Sequence, residues 1–386
     1  MLIPDELQEL RRTVRRFVER ELLPLEPELP EADHLPAGLY ATLAERLRAA
    51  GLWAFSAPAE LGGGGGTPLA QMIVTEELSR SLFGLALAGR TGNPLPVLLA
   101  GTPEQVERFA VPVVAGERLG AFALTEPTGG ADPVGNMGTT ATRDGDHWVL
   151  DGRKTFISLG DIADHVVVFA TSDRSAGVRG ITALVVEAGT PGFSVVRRIP
   201  TMGSLAPAEI DLAGCRVPDA NRVGEVGMGF VLAQQVLGTA RAEIGARAVG
   251  ASVRLLDEAL AHVAGRRSMG ASVAEHQGAQ WMLADCAVDI ETSRWITYAA
   301  GEAATAGRDT RVVDSIVKVH ASEALGRVAD RVLQLFGGWG YSKDLPIERF
   351  YREARMWRIV EGPNEVHRWA VARALLRRGT AALELT

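Results

Sequence analysis

Apolar residues near the N-terminus recur at helical spacing. Leu7, Leu10, Val14, Phe17, Val18 and Leu22 fall on one face. The pattern predicts an amphipathic helix over residues 5–29. Further helical windows cover 37–50, 67–82, 85–100 and 103–115, joined by segments that carry Pro and Gly. The run Gly62 to Gly66 invites a phosphate-loop reading. No Lys-Ser/Thr follows it and no apolar strand leads in, so that template fails. A flexible turn is expected there instead.

The period changes near residue 119. Short β-branched runs take over: His147 to Leu150, Val166 to Ala170 and Ile181 to Val186. Asp144-Gly145 and Asp151-Gly152 supply turn chemistry. Phe193 to Val196 and Ala208 to Leu212 continue the theme. Helical spacing returns after Gly227, with long helices predicted over 230–264, up to 306, and 311–335. Ser272-Val273-Ala274-Glu275 matches a capping box at the start of the second. Long helices with short connections pack as an antiparallel bundle. The expected fold is therefore α+β, mostly α. It has an N-terminal helical domain (1–118), a middle antiparallel β domain (119–225) and a C-terminal four-helix-bundle-like domain (226–386).

Composition narrows the function classes. The chain has 386 residues, 47% hydrophobic and 23% charged, with a formal net charge of −7. No basic stripe with interleaved aromatics appears, which argues against nucleic acid as a partner. Two cysteines, Cys215 and Cys286, offer neither metal spacing nor a disulfide framework. The N-terminus turns charged at once and no apolar run is long enough to span a bilayer. A cytoplasmic protein without membrane attachment is expected.

One stretch stands out chemically: Ile359 to His367, reading Ile-Val-Glu-Gly-Pro-Asn-Glu-Val-His. It lies between a polar, arginine-rich helical pattern (Ile347 to Arg358) and a second run (Arg368 to Arg378). Gly permits a positive φ and Pro suits a helix's first turn, so the break can hold the Glu361 carboxylate rigidly. In isolation, Glu361 reads as a solvated residue at a helix end.

Motifs spread over most of the chain set this stretch in context. Phe122-Ala123-Leu124-Thr125-Glu126-Pro127, followed by Gly129-Gly130-Ala131-Asp132, comes first. Then follow Asp151 to Ser158, Cys215 to Pro218 with Val226 to Phe230, Arg266 to Gly270 with Glu275-His276-Gln277, and Gln334 to Tyr341. Together with the Glu361-Gly362 break, their order and spacing resemble the acyl-CoA dehydrogenases. The resemblance implies an FAD-dependent enzyme that oxidises an acyl thioester to its trans-2-enoyl form. A carboxylate takes the α proton while hydride leaves the β carbon for flavin N5. Glu361 matches the family's usual base. The alternative position on the first long C-terminal helix looks like Ala240, which cannot serve.

The resemblance also assigns the flavin site. Phe122, Leu124 and Thr125 are expected along the isoalloxazine ring, with Phe156 and Ser158 at its other edge. Read without the family, Leu124 and Phe156 would be β-domain core. Arg266, Ser268, His276 and Gln277 resemble positions that reach a neighbouring subunit's FAD, and Gln334, Gly337 and Gly338 the matching contact. A Gly-Gly pair after a helix otherwise reads as a C-cap. Pro363 and Glu365 fall in a segment near FAD. Ala131, Arg241 and Gly362 fall near the substrate, although Arg241 also reads as a surface salt bridge. No metal is implied. A homo-oligomer, a tetramer in most relatives, and an electron-transfer flavoprotein as acceptor follow from the same resemblance.

Some positions depart from the family. Ala131 stands for a common serine, Phe156 for tryptophan, Leu159 for asparagine, Pro363 for threonine and Glu365 for glutamine. Thr201 to Pro207 lacks the usual arginine-serine pattern. Three alternatives accompany the main reading. They are a dehydrogenase of acyl groups on acyl carrier protein, an oxidase, and a flavin-less homologue serving as a subunit or acyl-binding partner.

Overall fold

In the computed structural model, residues 3–31, 34–86, 94–204 and 206–385 are described. Helix α1 spans Asp5–Phe17. The expected single helix over 5–29 changes type after it, to a π-turn (Val18–Leu22) and then a 3-10 segment (Leu23–Glu28). Pro24 and Pro27 lack the N–H that α-helical pairing needs. Helices α2 (Ala37–Ala49) and α3 (Pro68–Leu78) follow. Thr67 caps α3 by accepting from the Ala70 N–H, and Pro68 occupies its first turn. Short helices cover Leu82–Ala86 and Leu95–Leu98. The middle of the 85–100 window lies outside the described residues. The 103–115 window is helical throughout, with a π-turn (Val106–Ala110) just before Pro112. Proline's missing donor favours that local slip.

Eight strands form the middle sheet: β1 (Gly120–Ala123), β2 (Thr140–Asp144), β3 (His147–Ile157), β4 (His165–Thr171), β5 (Ile181–Glu187), β6 (Phe193–Arg198), β7 (Ala208–Pro218) and β8 (Arg222–Val223). Their order is β6-β7-β3-β2-β4-β5-β8, with β1 also on β4. Most ladders are antiparallel. The domain is antiparallel as expected, with two exceptions: β1 runs parallel to β4, and β2 meets β4 in a parallel pair at Thr140–Thr171. Between β1 and β4 the chain makes a loop and the β2–β3 hairpin, so it re-enters in the original direction. All seven residues of β4 are buried, which is why its sequence shows a nearly continuous apolar run and no polar alternation.

The C-terminal part holds α4 (Gly229–Gly265), the short pair β9 (Arg267–Ser268) and β10 (Ala271–Ser272), α5 (Gln277–Thr305), α6 (Arg311–Phe336), α7 (Ile347–Met356) and α8 (Asn364–Arg378). The capping box at Ser272 is present, but it closes a 3-10 turn (Val273–Glu275) immediately before α5.

The chain divides into two compact units, 1–29 with 67–86 and 238–386, and 30–66 with 87–237. In the first, Leu69, Met72 and Ile73 of α3 pack with Ala242 and Ala246 of α4 and Tyr298 of α5. In the second, the core lies on the sheet, with Trp148, Leu150, Val166, Val168, Leu184, Val186, Ile210 and Val217 among its members.

The five-glycine run is not the flexible turn its composition suggested. The N–H groups of Gly63, Gly64, Gly65 and Gly66 donate to the carbonyls of Pro58, Ala54, Ala57 and Phe55. A Cβ at Gly63 would lie 2.4 Å from the Ala57 carbonyl oxygen. Gly63→Ala is therefore expected to cost about 1–3 kcal/mol through overpacking against backbone. A lowered thermal midpoint of the purified protein checks it.

Candidate functional site

Helix α7 buries Ile347, Phe350, Glu353 and Ala354 and ends where the Ile359 and Val360 N–H groups both return to the Met356 carbonyl. The next two residues take positive φ, Glu361 at 55° and Gly362 at 91°. Pro363, at φ −62°, then starts α8 from Asn364, four residues earlier than the expected run from Arg368. The Asn364 N–H closes the turn on the Arg358 carbonyl at 3.1 Å. A left-handed glutamate costs roughly 1–3 kcal/mol, and such residues persist only where surroundings over-determine them.

Those surroundings come from α6 and α8. The Lys318 side chain is fully buried, and its Nζ donates to the Gly362 carbonyl and to Asn364 Oδ1, each at 2.7 Å. Asn364 donates in turn to Ser322 Oγ and Glu323 Oε1. His367, also buried, places Nε2 at 3.1 Å from the Glu361 carbonyl. A carbonyl only accepts, so Nε2 carries the proton; Nδ1 lies 3.3 Å from the Ser315 hydroxyl, which donates to the Arg311 carbonyl at 3.0 Å. Burial, reinforced by the Arg241 charge, holds the imidazole down at about 4, so it is neutral near pH 7. Burial also lowers Lys318 to about 8, against the pull of Glu361 and Glu365.

The Glu361 carboxyl sits above the usual glutamate range because burial strips its water. Arg241, Arg247 and Lys318 oppose that rise and Glu243 adds to it. The residue keeps part of its surface, which moderates the penalty without changing its direction. Arg241, on α4, is itself desolvated, and its charge is supported by Glu361 and Asp314. Its buried Nε has no hydrogen-bond partner among the described residues, so the plain salt-bridge reading does not describe it. Asp314 is buried, accepts from Thr310 Oγ1 at 2.6 Å, and is raised to about 6 by burial. The arrangement offers a proton-accepting carboxylate beside a cation with an unspent donor.

The sheet residues singled out by sequence lie on the other unit. Phe122 is half-buried and its ring meets Phe169 at 4.9 Å. Leu124 is core, and its carbonyl accepts from Lys154 Nζ at 3.2 Å. The Thr125 carbonyl accepts from the Thr155 N–H at 3.0 Å. Phe156 is not core: it is 59% exposed, with φ 55°, and Ser158 beside it is exposed too. Leu159 also has positive φ, at 61°. A strained, uncovered aromatic is a reason to look for a ligand. Ala131 is exposed in the loop between β1 and β2. Behind these residues, fully buried Lys154 pairs with Glu126 at 2.8 Å, and Glu126 accepts from the Gly138 and Thr139 N–H groups.

A third group lies at one end of α4, α5 and α6. Arg266 donates to the Phe336 carbonyl at 2.9 Å, beside Gly337, which caps α6 at φ 63°. His276 Nε2 lies 3.1 Å from the Ser268 carbonyl. Gln277, Gln334, Gly338 and, on the first turn of α8, Glu365 are exposed, while Pro363 is half-buried. The structure thus gathers Arg266 with Gly337, and Ser268 with His276. It gathers Arg241, Gly362 and Lys318 around Glu361.

Sequence reasoning missed Lys318, Asp314 and His367 as site residues. A signal existed for two of them. Asp314 and Lys318 occupy the buried stripe of α6 that continues through Ala321, Leu325, Val328 and Val332. A charged residue in the apolar phase of a helix needs a buried partner.

Comparison with known proteins adds the remaining finding. Family models described as acyl-CoA dehydrogenase N-terminal, middle and C-terminal domains match residues 4–117, 121–212 and 227–376. The chain is 35% identical, over 96% of its length and 98% of the relative's, to a short-chain specific acyl-CoA dehydrogenase of Clostridium acetobutylicum. It is 36% identical, over 97% of its length and 95% of the relative's, to an acryloyl-CoA reductase (NADH) of Anaerotignum propionicum. The solved structure of butyryl-CoA dehydrogenase from Megasphaera elsdenii superposes with a TM-score of 0.88 at 33% identity. The match covers 98% of this chain and all of that one.

Asp314 gives a prediction with a definite sign. Its folded value of about 6 lies above the ordinary aspartate value of 3.8. Between these values the folded state binds more protons, so stability falls as pH rises from about 4 to about 6. The difference corresponds to at most about 3 kcal/mol. Asp314→Asn is expected to flatten that part of the curve of unfolding free energy against pH, measured by denaturant titration.

Proposed function

The chain belongs to the acyl-CoA dehydrogenase family, and on that footing we propose that Glu361 removes the α proton of a short acyl thioester as the 2-enoyl product forms. The observation that carries this reading is Glu361 itself. It is a carboxylate on a strained, clamped turn, with raised proton affinity and a partly unsatisfied Arg241 beside it. A base must be ionised yet basic enough to take a weakly acidic proton, and loss of water serves the second need. Gly362, next to it, takes a positive φ and lets the His367 ring pack against the turn that presents the carboxylate. The Glu361 N–H is assigned to the thioester carbonyl, where negative charge develops. Arg241 is assigned to the substrate side, supporting the ionised base and lending its free donor. Ala131 lines the acyl carrier's arm without the hydroxyl that relatives provide there.

FAD, when bound, accepts the hydride that leaves the β carbon. The chain's residues fit it in two ways. Exposed Phe156 and half-buried Phe122, with the backbone of Leu124 and Thr125 and the Ser158 hydroxyl, offer an apolar face with a polar edge. Arg266, Ser268, His276, Gln277, Gln334, Gly337 and Gly338 offer positive charge, polar groups and open backbone for a dinucleotide's phosphates. Pro363 and Glu365 border the flavin segment. The second group is assigned to a neighbouring subunit's FAD, which makes the enzyme an oligomer, a tetramer by family habit. On α5, Trp281, Val288 and Trp295 recur every seven residues and are 63%, 66% and 42% exposed, as a helix face awaiting a partner copy would be. An electron-transfer flavoprotein is the proposed acceptor.

A second reading runs the same groups backwards, with protonated Glu361 supplying the α carbon of a 2-enoyl thioester. The raised proton affinity of Glu361 suits that direction as well, and one 36% identical relative is a reductase by name.

The test is Glu361→Gln. The variant is expected to retain its flavin spectrum while anaerobic bleaching by butyryl-CoA slows by about 10²–10⁴-fold. Normal bleaching would remove Glu361 as the base. If the wild type is oxidised by crotonyl-CoA faster than it is reduced by butyryl-CoA, the reductive reading takes precedence.

A further inference from the structure

We infer that Lys318 and His367 are positioning residues that hold Glu361 in its left-handed turn, each by pinning one of the two carbonyls that follow the base's α carbon. The inference rests on the assignment of Glu361 as base and deepens it.

The geometry is a two-point clamp. His367, from α8, donates to the carbonyl of Glu361 at 3.1 Å. Lys318, from α6, donates to the carbonyl of Gly362 at 2.7 Å. The two peptide planes that would otherwise swing when φ relaxes are therefore tied to two different helices. The clamp is itself braced. Ser315 of α6 faces the other nitrogen of His367, and Asn364 shares Lys318 with the turn. The His367 ring also lies against Gly362, where an added Cβ would come within 3.2 Å of Nε2. A base turned by even an ångström loses its alignment with a C–H bond, which is why such bracing affects rate more than binding.

Lys318 brings something a neutral donor would not. It forms no ion pair within 4.0 Å among the described residues, and its hydrogen bonds go to neutral oxygens. A buried ammonium so placed is costly, and its charge still reaches the Glu361 carboxylate. The charged groups facing that carboxylate are Arg241, Arg247 and Glu243 from α4 and Lys318 from α6. His367 is neutral. Removing Lys318 withdraws a cation from the base, and removing His367 does not. The two positioning residues are thus separable by pH.

The experiment uses flavin-loaded Lys318→Met, His367→Leu, His367→Gln and Glu361→Gln, with butyryl-CoA and an artificial electron acceptor. Lys318→Met and His367→Leu are expected to lower kcat at least about tenfold with KM within about threefold. Amide hydrogen exchange across residues 359–367 quickens in both. His367→Gln, which returns a donor near the Nε2 position, recovers most of the loss. The acid limb of kcat/KM moves upward in Lys318→Met only. Should Lys318→Met fail to hold flavin, the His367 pair decides the matter. The inference is overturned if either loss variant keeps kcat and exchange within about twofold of wild type while Glu361→Gln is inactive. If Glu361→Gln turns over normally, the base assignment falls first and the clamp loses its purpose with it.

Discussion

A glutamate held in the left-handed region of backbone space is the constraint around which the helical unit is arranged. Glu361 would relax to an ordinary conformation if the turn were free. It does not, because a buried side chain of α8 holds the Glu361 carbonyl and one of α6 holds the Gly362 carbonyl. That requirement explains why α6 carries Ser315, Lys318 and Ser322 on a face that is otherwise apolar. It also explains the buried Asn364 at the first position of α8, which meets Lys318, Ser322 and Glu323 at once. Polar networks of this kind contribute little net stability but tolerate few alternative packings.

The sheet unit follows the same logic on a smaller scale. Lys154 lies beneath the β1 edge, bonded to the Leu124 carbonyl and paired with Glu126. Glu126 then gathers the Gly138 and Thr139 N–H groups, so the loop that carries Ala131 is anchored at its far end. In both units a buried ammonium fixes backbone next to residues assigned to chemistry, and the reacting groups stay free of structural duty.

Much of this was legible in the sequence. The long helices α4, α5 and α6 were readable because their apolar period persists over many turns. The β4 and β5 strands were readable as β-branched runs. Less local features were not. The parallel placement of β1 on β4 depends on how the chain returns after a hairpin, which no window of residues records. The five-glycine run looked loose because glycine is permissive. Its order comes from carbonyls at residues 54–58 that turn back to meet it. Glu361 was visible as a carboxylate at a helix break. Its strain and its clamp were not, since Lys318 is 43 residues away in sequence and His367 reads alone as one more residue of a helix. Phe156 shows the opposite error. Without the family it reads as β-domain core, yet its ring is 59% exposed on a backbone at φ 55°.

Under the proposed assignment of Phe156 to the flavin, that outward ring links cofactor supply to the fate of the polypeptide. A freshly made chain without flavin presents Phe156 and its strained backbone to water. A ligand that binds only the folded chain shifts the folding equilibrium by mass action, in proportion to its free concentration over its dissociation constant. Chains made when flavin is scarce would then spend longer partly open, and quality-control proteases would meet them there. The cell's riboflavin status would set how much of this protein accumulates, before any question of how fast each copy works.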